Sequence, residues 1–438
     1  MRSISRATRT AAALAASVLV LAACGTDEAD DPTDEPPAGE ESPADDEPTE
    51  EEPAEDFPEG DGTLTIGSLL PATGDLEFLG PPEFAGVELA IKEINEAGGV
   101  LGEDVEYFEG DSGDGTPPVA GPTVNRLLNQ DVDVIVGAAA SGVSITVIDA
   151  ITGAGVVQFS PANTSPIFDS DEVDPNELYF RTAPSDVLQG AVLANLVSED
   201  GFSNLGIINR QDDYGTGLAK VITENFESAG GTVVATEVYA PDASNFNAEV
   251  QAMAAADPDA VVVVGFVETL QIIPQMVRNG IGPDDVAVYF TDGNTSNYGG
   301  DVEQGLLEGI KGTLPGAELT GDFRERLLKV DPDLEDFSYG PESYDAVVVS
   351  ALAAVAADSD NGEAIGANII DVTREGTKCT EFAECVELLE ADEDIDYDGV
   401  SGPIEMNEFG SPAAASIGVY LYGPDNNITP DEFIQGQI

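Results

Sequence analysis

Histidine is absent from this 438-residue chain, and cysteine occurs only three times. Histidine is the side chain that most often acts as a general base, completes a catalytic triad or binds a transition metal. Its absence argues against those active sites and against a metal centre. Among the 85 acidic residues, no pair stands out by spacing as the acid and base of a hydrolase. We expect a protein that is not an enzyme and carries no cofactor, with an extracellular hydrolase as the remote alternative.

Basic residues are also scarce, since 15 Lys and Arg stand against 85 Asp and Glu, for a formal net charge of -70. Residues 24–60 hold 17 of the acidic residues and residues 1–23 hold three arginines, which leaves 68 acidic and 12 basic residues in 61–438. A field of this sign repels nucleic acid phosphates and anionic lipids, so neither is an expected partner. We interpret the excess as a solubility adaptation to a salty or alkaline medium.

The charge excess predicts that salt stabilises the folded protein. Like charges lie closer together in the folded state, and the screening length falls from about 30 Å at 0.01 M salt to about 3 Å at 1 M. The melting temperature should therefore climb with NaCl well beyond physiological strength. Parallel measurements in sodium sulfate at matched ionic strength separate screening from the general effect of salt on apolar burial. A melting temperature that is flat between about 10 and 500 mM NaCl would contradict this prediction.

The first 23 residues have the order of a secretion signal. Three arginines precede an apolar stretch, 11–22, that is too short to span a bilayer. The Leu-Ala-Ala sequence directly before Cys24 resembles the lipobox of bacterial lipoproteins. We predict a lipoprotein signal peptide over 1–23 and a lipidated Cys24, which would hold the protein at the outer side of the cell membrane. The alternative is an ordinary signal with an incidental cysteine.

Residues 24–60 are almost entirely acidic residues, proline and small residues. Such a segment cannot bury enough apolar surface to offset the entropy of ordering it. Like charges and prolines favour extended conformations. We predict a disordered acidic tether, with a specific acidic recognition tail as the alternative.

The other two cysteines, Cys379 and Cys385, lie six positions apart. In a secreted chain this spacing favours a local disulfide. The alternative is a metal-binding pair, for which the sequence offers no third soft ligand.

After the tether, short apolar runs alternate with amphipathic stretches. This alternation predicts mainly parallel sheets flanked by helices. About 378 residues exceed what one hydrophobic core serves, so two α/β lobes are expected. The predicted strands include 63–69, 105–108, 134–136, 156–159, 205–208, 232–239, 260–265 and 286–290. The predicted helices include 83–97, 119–129, 141–154, 187–199, 215–229, 246–256, 268–279 and 342–357.

Small and hydroxylated residues follow two of the predicted strands, in 137–142 and 160–165. Ligands of open α/β sheets bind at the carboxyl ends of strands. Free N–H groups at a helix start, together with a Ser or Thr hydroxyl, can hold a carboxylate. The alternative is plain N-capping by Ser141 and Thr164. Because no G-x-G-x-x-G or Walker sequence follows any strand, nucleotide binding has no positive signal.

The order and spacing of several motifs resemble a known family, the type 1 periplasmic binding proteins, and specifically the branched-chain amino acid binding lipoproteins of ABC transporters. The resemblance covers essentially all of 63–438. Its carriers are Ile66-Gly-Ser-Leu-Leu-Pro71 with Thr73-Gly74, Gly86-Val-Glu-Leu-Ala-Ile-Lys-Glu-Ile-Asn95 with Gly98-Gly99, Ile135-Val-Gly137, Ser160-Pro161, Arg181-Thr182, Asp186, Gln189-Gly190, Tyr214-Gly215 and Tyr339-Gly-Pro-Glu-Ser-Tyr-Asp-Ala346.

The resemblance implies a two-lobed periplasmic binding protein type 1 fold with three crossovers and a hinge between the lobes. By analogy, lobe 1 is 61–183 plus 316–398, and lobe 2 is 184–315 plus 399–438. The implied function is capture of a small solute, such as an amino acid of the branched-chain type, for an ABC transporter permease. A monomer is expected.

The resemblance also implies site residues. Ser141, the backbone of Asn163 and the hydroxyl of Thr164 match positions that hold the ligand carboxylate. Tyr214 matches an aromatic residue that approaches from lobe 2, and Phe78 or Leu79 matches a bulky lid residue. Asp292 matches an acid that pairs with the ligand ammonium.

One stretch departs from the family pattern. After Gly265, where amino acid binders often carry tyrosine, the chain has Phe266, Val267 and Glu268. Glu268 is either a second ligand for a cation or the acidic start of a helix. The departure leaves open a ligand-sensing protein for an amide, urea or small carboxylate.

Overall fold

The computed structural model of the chain describes residues 57–170 and 173–437. The predicted signal peptide, Cys24 and nearly all of the predicted tether lie outside these residues. In the described part, no helix is both long and apolar enough to cross a membrane.

Fourteen strands are present in the described residues, and most are short apolar runs. They are β1 (Thr65–Leu69), β2 (Glu106–Phe108), β3 (Val134–Gly137), β4 (Val157–Ser160), β5 (Tyr179–Arg181), β6 (Asn204–Arg210), β7 (Thr232–Tyr239), β8 (Ala260–Val264), β9 (Ala287–Phe290), β10 (Lys311–Pro315), β11 (Thr377–Cys379), β12 (Ile395–Tyr397), β13 (Ala414–Tyr422) and β14 (Ile428–Gln437).

Eleven α-helices are present in the same residues. They are α1 (Gly80–Ala97), α2 (Ala120–Leu128), α3 (Ser141–Thr152), α4 (Asp186–Glu199), α5 (Asp213–Ser228), α6 (Asn247–Ala255), α7 (Thr269–Arg278), α8 (Gly321–Val330), α9 (Gly340–Ala357), α10 (Gly362–Ile369) and α11 (Phe382–Leu389).

The first lobe is built on a five-stranded sheet in the order β2-β1-β3-β4-β5, and every pairing in it is parallel. β1, β3 and β4 are buried along their whole length, as expected for strands covered by helices on both faces. α9 is apolar nearly all round and packs against α1 in the core of this lobe. Gly86 permits the close approach of these helices, because a Cβ there would lie 2.3 Å from the carbonyl oxygen of Gly340.

The second lobe is built on a seven-stranded sheet in the order β14-β13-β10-β9-β8-β6-β7. The pairings from β10 to β7 are parallel, whereas β13 pairs antiparallel with β10 and with β14. β8 consists of one alanine and four valines and is fully buried. The alternation of strands and helices in the sequence predicts β6, β7, β8 and β9 of this sheet, but not β10 and not the antiparallel strands β13 and β14.

The chain crosses between the lobes three times, and the crossings form the hinge. It leaves the first sheet after β5, returns after β10, and crosses again before β13. Arg181, which is fully buried, ties two crossings together, because its Nε donates to Ser411 Oγ at 2.8 Å and its backbone N–H donates to Gly410 O at 2.9 Å. The residue bounds of the lobes stay a prediction. Ile404 and Met406, assigned to lobe 2 by analogy, are buried in the same apolar cluster as residues of β1, β3 and β4.

A disulfide joins Cys379, at the end of β11, to Cys385 in α11, with 5.4 Å between the Cα atoms. β11 pairs in parallel with β12 to form a two-stranded sheet. Both cysteines are buried in the cluster that holds α1 and α9. The bridge therefore closes a short loop over the core of the first lobe.

Reduction of this disulfide should lower the free energy of unfolding by roughly 2 kcal/mol, because the closed loop is short. Urea unfolding with and without reductant measures the difference. Thiol counting on denatured, unreduced protein, with Cys24 lipidated or deleted, is the control. Two reactive thiols in that assay would contradict a bridge in the mature protein.

Candidate ligand-binding site

A small cavity lies where the carboxyl ends of the two sheets meet. It measures about 20 Å³, which is room for about one water molecule. A solute as large as an amino acid therefore enters only if the lobes move apart at the hinge. The first lobe contributes Leu76, Leu79, Ala139, Ala140, Ser141 and Ala162, and the second contributes Tyr214, Phe266, Asp292 and Gly293.

The start of α3 forms one wall of the cavity. Its N-cap is Ala140, whose side chain makes no capping hydrogen bond. Ser141 therefore stands in the first turn and does not cap the helix. Its Oγ accepts a long hydrogen bond, 3.4 Å, from the backbone N–H of Ser165. A helix start without a side-chain cap, beside a buried hydroxyl, is suited to hold an anionic group.

Asn163 and Thr164 are buried just behind this wall and are not among the residues that line the cavity. The Asn163 backbone N–H, the group that could donate to a carboxylate, donates to Ser160 Oγ at 2.9 Å. The Thr164 hydroxyl donates to Asp186 Oδ2 at 3.1 Å. In the closed structure both groups of the predicted carboxylate cradle therefore have partners within the protein.

Asp292 faces the cavity from the opposite wall, just after β9, and is 4% exposed. Its Oδ1 accepts from Tyr214 Oη at 2.7 Å and from Gln189 Nε2 at 2.8 Å, and its Oδ2 accepts from Tyr339 Oη at 2.7 Å. Burial raises the pKa of both tyrosines well above the usual value, so they keep their protons and act as donors. Three donors therefore surround this one carboxylate.

A second buried carboxyl group, Asp186, lies near Asp292 at the start of α4. Burial, and then the charge of Asp292, raise the pKa of Asp186 well above its usual value. Its Oδ1 has no hydrogen-bond partner among the described residues, and neither has Oε1 of Gln189 one helical turn further on. Asp186 is thus the carboxyl group of the pair that is suited to carry a proton.

Phe266, Val267 and Glu268, which depart from the family pattern, differ in their position relative to the cavity. Phe266 lines the cavity and stacks on Tyr214, with 5.6 Å between the ring centroids. Glu268 is 3% exposed and forms an ion pair with Arg210, at 2.9 Å from Oε1 to Nη1. Its side chain is therefore held inside the second lobe. Val267 donates its backbone N–H to the carbonyl of Asp75, at 3.3 Å, across the closed cleft.

The predicted lid residue has a neighbour closer to the site. Phe78 is partly buried and packs against the apolar cluster that spans both lobes. Leu79, the next residue, lines the cavity. The structure thus brings Ser141, Tyr214 and Asp292 together at the cavity, while Phe78, Asn163 and Thr164 lie around it.

Three residues of the site carry no assigned role from the sequence: Tyr339, Gln189 and Asp186. All three lie in motifs that carry the family resemblance. The sequence does not indicate their roles at the site, because each role depends on its position near Asp292, which is distant in the chain. Among the described residues, no group of three acidic or cysteine side chains is placed to hold a metal ion.

The two sheets, the three crossings and the cavity between the lobes define a two-lobed periplasmic binding protein of type 1. A comparison with protein families supports this assignment, because the periplasmic binding protein family profile matches residues 63–408. The chain belongs to that family.

Curated relatives are similar over different lengths. A protein described as a Leu/Ile/Val-binding protein homolog from Brucella melitensis is 29% identical over 205 residues, which span 46% of this chain and 54% of that relative. The match therefore takes in about half of that relative's length. The substrate-binding protein BasB of a chemotactic signal transduction system in Halobacterium salinarum is 25% identical over 355 residues, which span 78% of this chain and 83% of that relative.

Solved structures share the fold. A leucine-binding protein from Thermotoga maritima superposes with a TM-score of 0.69 at 21% identity, covering 85% of this chain and 99% of that one. A solute-binding protein of an ABC transporter from R. palustris, in complex with benzoate, has the same TM-score at 16% identity, covering 86% and 98%. These identities are low, so the likeness concerns the fold and leaves the solute open.

Proposed function

We propose that this chain is the solute-binding lipoprotein of an ABC transporter and that it captures an α-amino acid in the cleft between its lobes. The observation that carries the proposal is the position of Asp292, a buried carboxylate on the cavity wall opposite the uncapped start of α3. An acid on one wall and an anion-binding helix start on the other match the two ends of a zwitterion.

The ammonium end is the more specific part of the proposal. A buried carboxylate is costly unless it is paired and hydrogen-bonded. Asp292 has its hydrogen bonds from two tyrosines and a glutamine, but no cationic side chain is among those donors. A ligand ammonium in the cavity would supply the missing positive charge.

The carboxylate end would bind at Ser141 and the first N–H groups of α3. Thr164 and Asn163 lie close behind, and we propose that Thr164 turns its hydroxyl from Asp186 to the ligand when a solute enters. The apolar side chains of Leu76, Leu79 and Ala162 leave no polar group for a polar solute side chain on that wall. The solute is therefore an amino acid with an apolar or small side chain.

The cellular setting of the proposal rests on the sequence. A lipidated Cys24 would anchor the protein outside the cytoplasm, and the acidic tether would hold the lobes away from the membrane. The protein would act as a monomer that delivers its solute to a membrane permease. The excess of acidic residues supports a location in a salty or alkaline medium.

A thermal-shift screen with amino acids, amides, polyamines, and aliphatic and aromatic carboxylates tests the proposal. A ligand that binds only the folded state stabilises it by about 2.7 kcal/mol at a hundredfold excess over the dissociation constant. We expect α-amino acids to raise the melting temperature, and the matched amides and carboxylates to leave it unchanged. If only purely anionic or uncharged compounds raise it, the proposal fails.

Ligand sensing is a second candidate function, favoured by the similarity to the chemotactic substrate-binding protein of Halobacterium salinarum. Both functions need the same cleft, so binding alone does not separate them. Uptake of labelled solute and directed swimming, measured in cells that lack this chain, do separate them. Lost uptake supports transport, whereas intact uptake with lost swimming response supports sensing.

A further inference from the structure

The aromatic wall of the cavity is fixed from behind by a buried ion pair. The guanidinium carbon of Arg210 lies 3.5 Å from the centroid of the Phe266 ring. Tyr214 stacks on the same ring with an angle of 25° between the planes. Arg210 is 2% exposed and Phe266 is 3% exposed, so this is a desolvated contact between a cation and an aromatic face.

Glu268 holds both the arginine and the backbone of residue 266. Its Oε1 accepts from Arg210 Nη1 at 2.9 Å and from Tyr239 Oη at 2.7 Å. Its Oε2 accepts from the backbone N–H of Phe266 at 3.0 Å. The carboxylate has hydrogen bonds on both oxygens, and it holds the arginine over the ring.

The ring also packs closely against the backbone of residue 293. Gly293 lies beside it, and a Cβ at that position would be 2.8 Å from the ring. Arg210, Tyr214, Phe266, Glu268 and Gly293 all belong to the lobe of the seven-stranded sheet. A rigid-body opening at the hinge therefore moves this wall as one piece and does not free the ring.

We infer that Phe266, held by Arg210 and Glu268, determines the specificity of the cleft by limiting the solute to α-amino acids with small side chains. The inference rests on the proposed function. A bulky, branched solute side chain would fit only if the residue at position 266 could change its rotamer. Phe266 is held in place by Arg210 and Glu268, so its ring does not make that space. Glycine, alanine and serine are the amino acids of suitable size, and leucine and isoleucine are excluded by the wall.

Titration calorimetry with alanine and leucine tests this inference on the whole mature chain. The wild-type protein should bind alanine at least about 10-fold more tightly than leucine, since a size mismatch in an apolar pocket is worth about 10–200-fold. Phe266→Ala should shift the alanine-to-leucine ratio of dissociation constants by about 10-fold or more toward leucine. Phe266→Leu should shift this ratio in the same direction by a smaller factor. This variant replaces Phe266→Ala in the test if Phe266→Ala does not fold.

Arg210 acts through Phe266 and is a positioning residue. Arg210→Lys keeps a charge for Glu268 but loses the planar stacking on the ring. We expect this variant to change affinity for alanine only a few-fold and to move the ratio toward leucine. Phe226→Ala is the matched control, because Phe226 is a fully buried phenylalanine of the same lobe, near the far end of α5. It should lower stability and leave the ratio unchanged.

The outcomes separate this inference from the proposed function. Wild-type protein that binds leucine as tightly as alanine, or a ratio that Phe266→Ala leaves unchanged, overturns the role of Phe266 while amino acid binding stands. A protein that binds no α-amino acid with an apolar or small side chain overturns the proposed function, and the inference with it.

Discussion

Replacement of Asp292 by asparagine should weaken amino acid binding by about 2–5 kcal/mol, or roughly 30-fold to several thousand-fold. The variant removes the negative half of a desolvated, charge-assisted pair with the ligand ammonium. Its three donors, Tyr214, Gln189 and Tyr339, would then surround a neutral amide. Titration calorimetry at neutral pH measures the loss.

Asp186→Asn is the matched control for this experiment. Asp186 lies in the same buried cluster, but burial and the charge of Asp292 raise its pKa well above the usual value, which favours the protonated carboxyl group. An amide is close in shape and charge to a protonated carboxyl group, and its oxygen can still accept from the Thr164 hydroxyl. The control should change affinity by less than about 10-fold. Equal losses of affinity in the two variants, or unchanged affinity in Asp292→Asn, would show that Asp292 does not pair with the ligand ammonium.

The second large effect concerns a pair of buried glutamates near the hinge. Glu83 in α1 is fully buried, and neither of its carboxyl oxygens has a hydrogen-bond partner among the described residues. Glu342 in α9 is 3% exposed. Its carbonyl accepts from Thr182 Oγ1, in the first crossing, at 2.9 Å. Burial raises the pKa of Glu342 from 4.5 to about 8, and burial together with the charge of Glu342 raises that of Glu83.

These raised pKa values predict that the protein loses stability as the pH rises. Below about pH 4.5, Glu342 is protonated in both the folded and the unfolded chain, and its full contribution to the free energy of unfolding is present. Between that pH and about 8, the unfolded chain releases the proton while the folded chain retains it, so unfolding becomes easier. Roughly three pKa units at about 1.4 kcal/mol each amount to on the order of 4–5 kcal/mol, lost by about pH 8.

Glu342→Gln should remove the part of this loss that is due to Glu342. The variant should match the wild-type protein near pH 5 and exceed its free energy of unfolding by several kcal/mol, on the order of 4, at pH 9. Urea unfolding at constant ionic strength across this range measures it. Glu325→Gln, an exposed residue of α8 in the same lobe, makes the same change of charge and should leave the pH profile unchanged. A wild-type profile that is flat from pH 5 to 9 would contradict the buried, protonated state.

Eight of the parallel strands could be predicted from the sequence because their signals are local, whereas the short strands β5, β10, β11 and β12 were not predicted. Strands such as β8 are continuous apolar runs, and helices such as α1 end at paired glycines. β13 and β14 were not predicted. The exposed and half-buried residues of β14 carry no clear alternation, and its pairing with β13 depends on partners supplied by the rest of the second sheet.

The site could be predicted only in part, for a related reason. Ser141, Tyr214 and Asp292 follow strands, where an α/β fold places its ligands, and the family resemblance marks them. The orientation of the Glu268 side chain could not be predicted from the sequence. Whether it faces the cleft or the interior depends on Arg210, which lies 58 residues earlier and forms the buried ion pair. Tyr339 reaches Asp292 from a left-handed backbone conformation, φ 59°, which no pattern in its motif indicates.

We propose above all that one cleft binds both charged ends of an α-amino acid. Titration calorimetry with alanine, propionate and ethylamine, at one pH and ionic strength, tests it most directly, because the two analogues each lack one end of alanine. We expect saturable binding of alanine and binding of either analogue that is weaker by at least about 100-fold, since each leaves a buried group of the site unpaired. Propionate that binds as tightly as alanine would show that Asp292 does not pair with an ammonium, and amino acid recognition by both ends would be wrong.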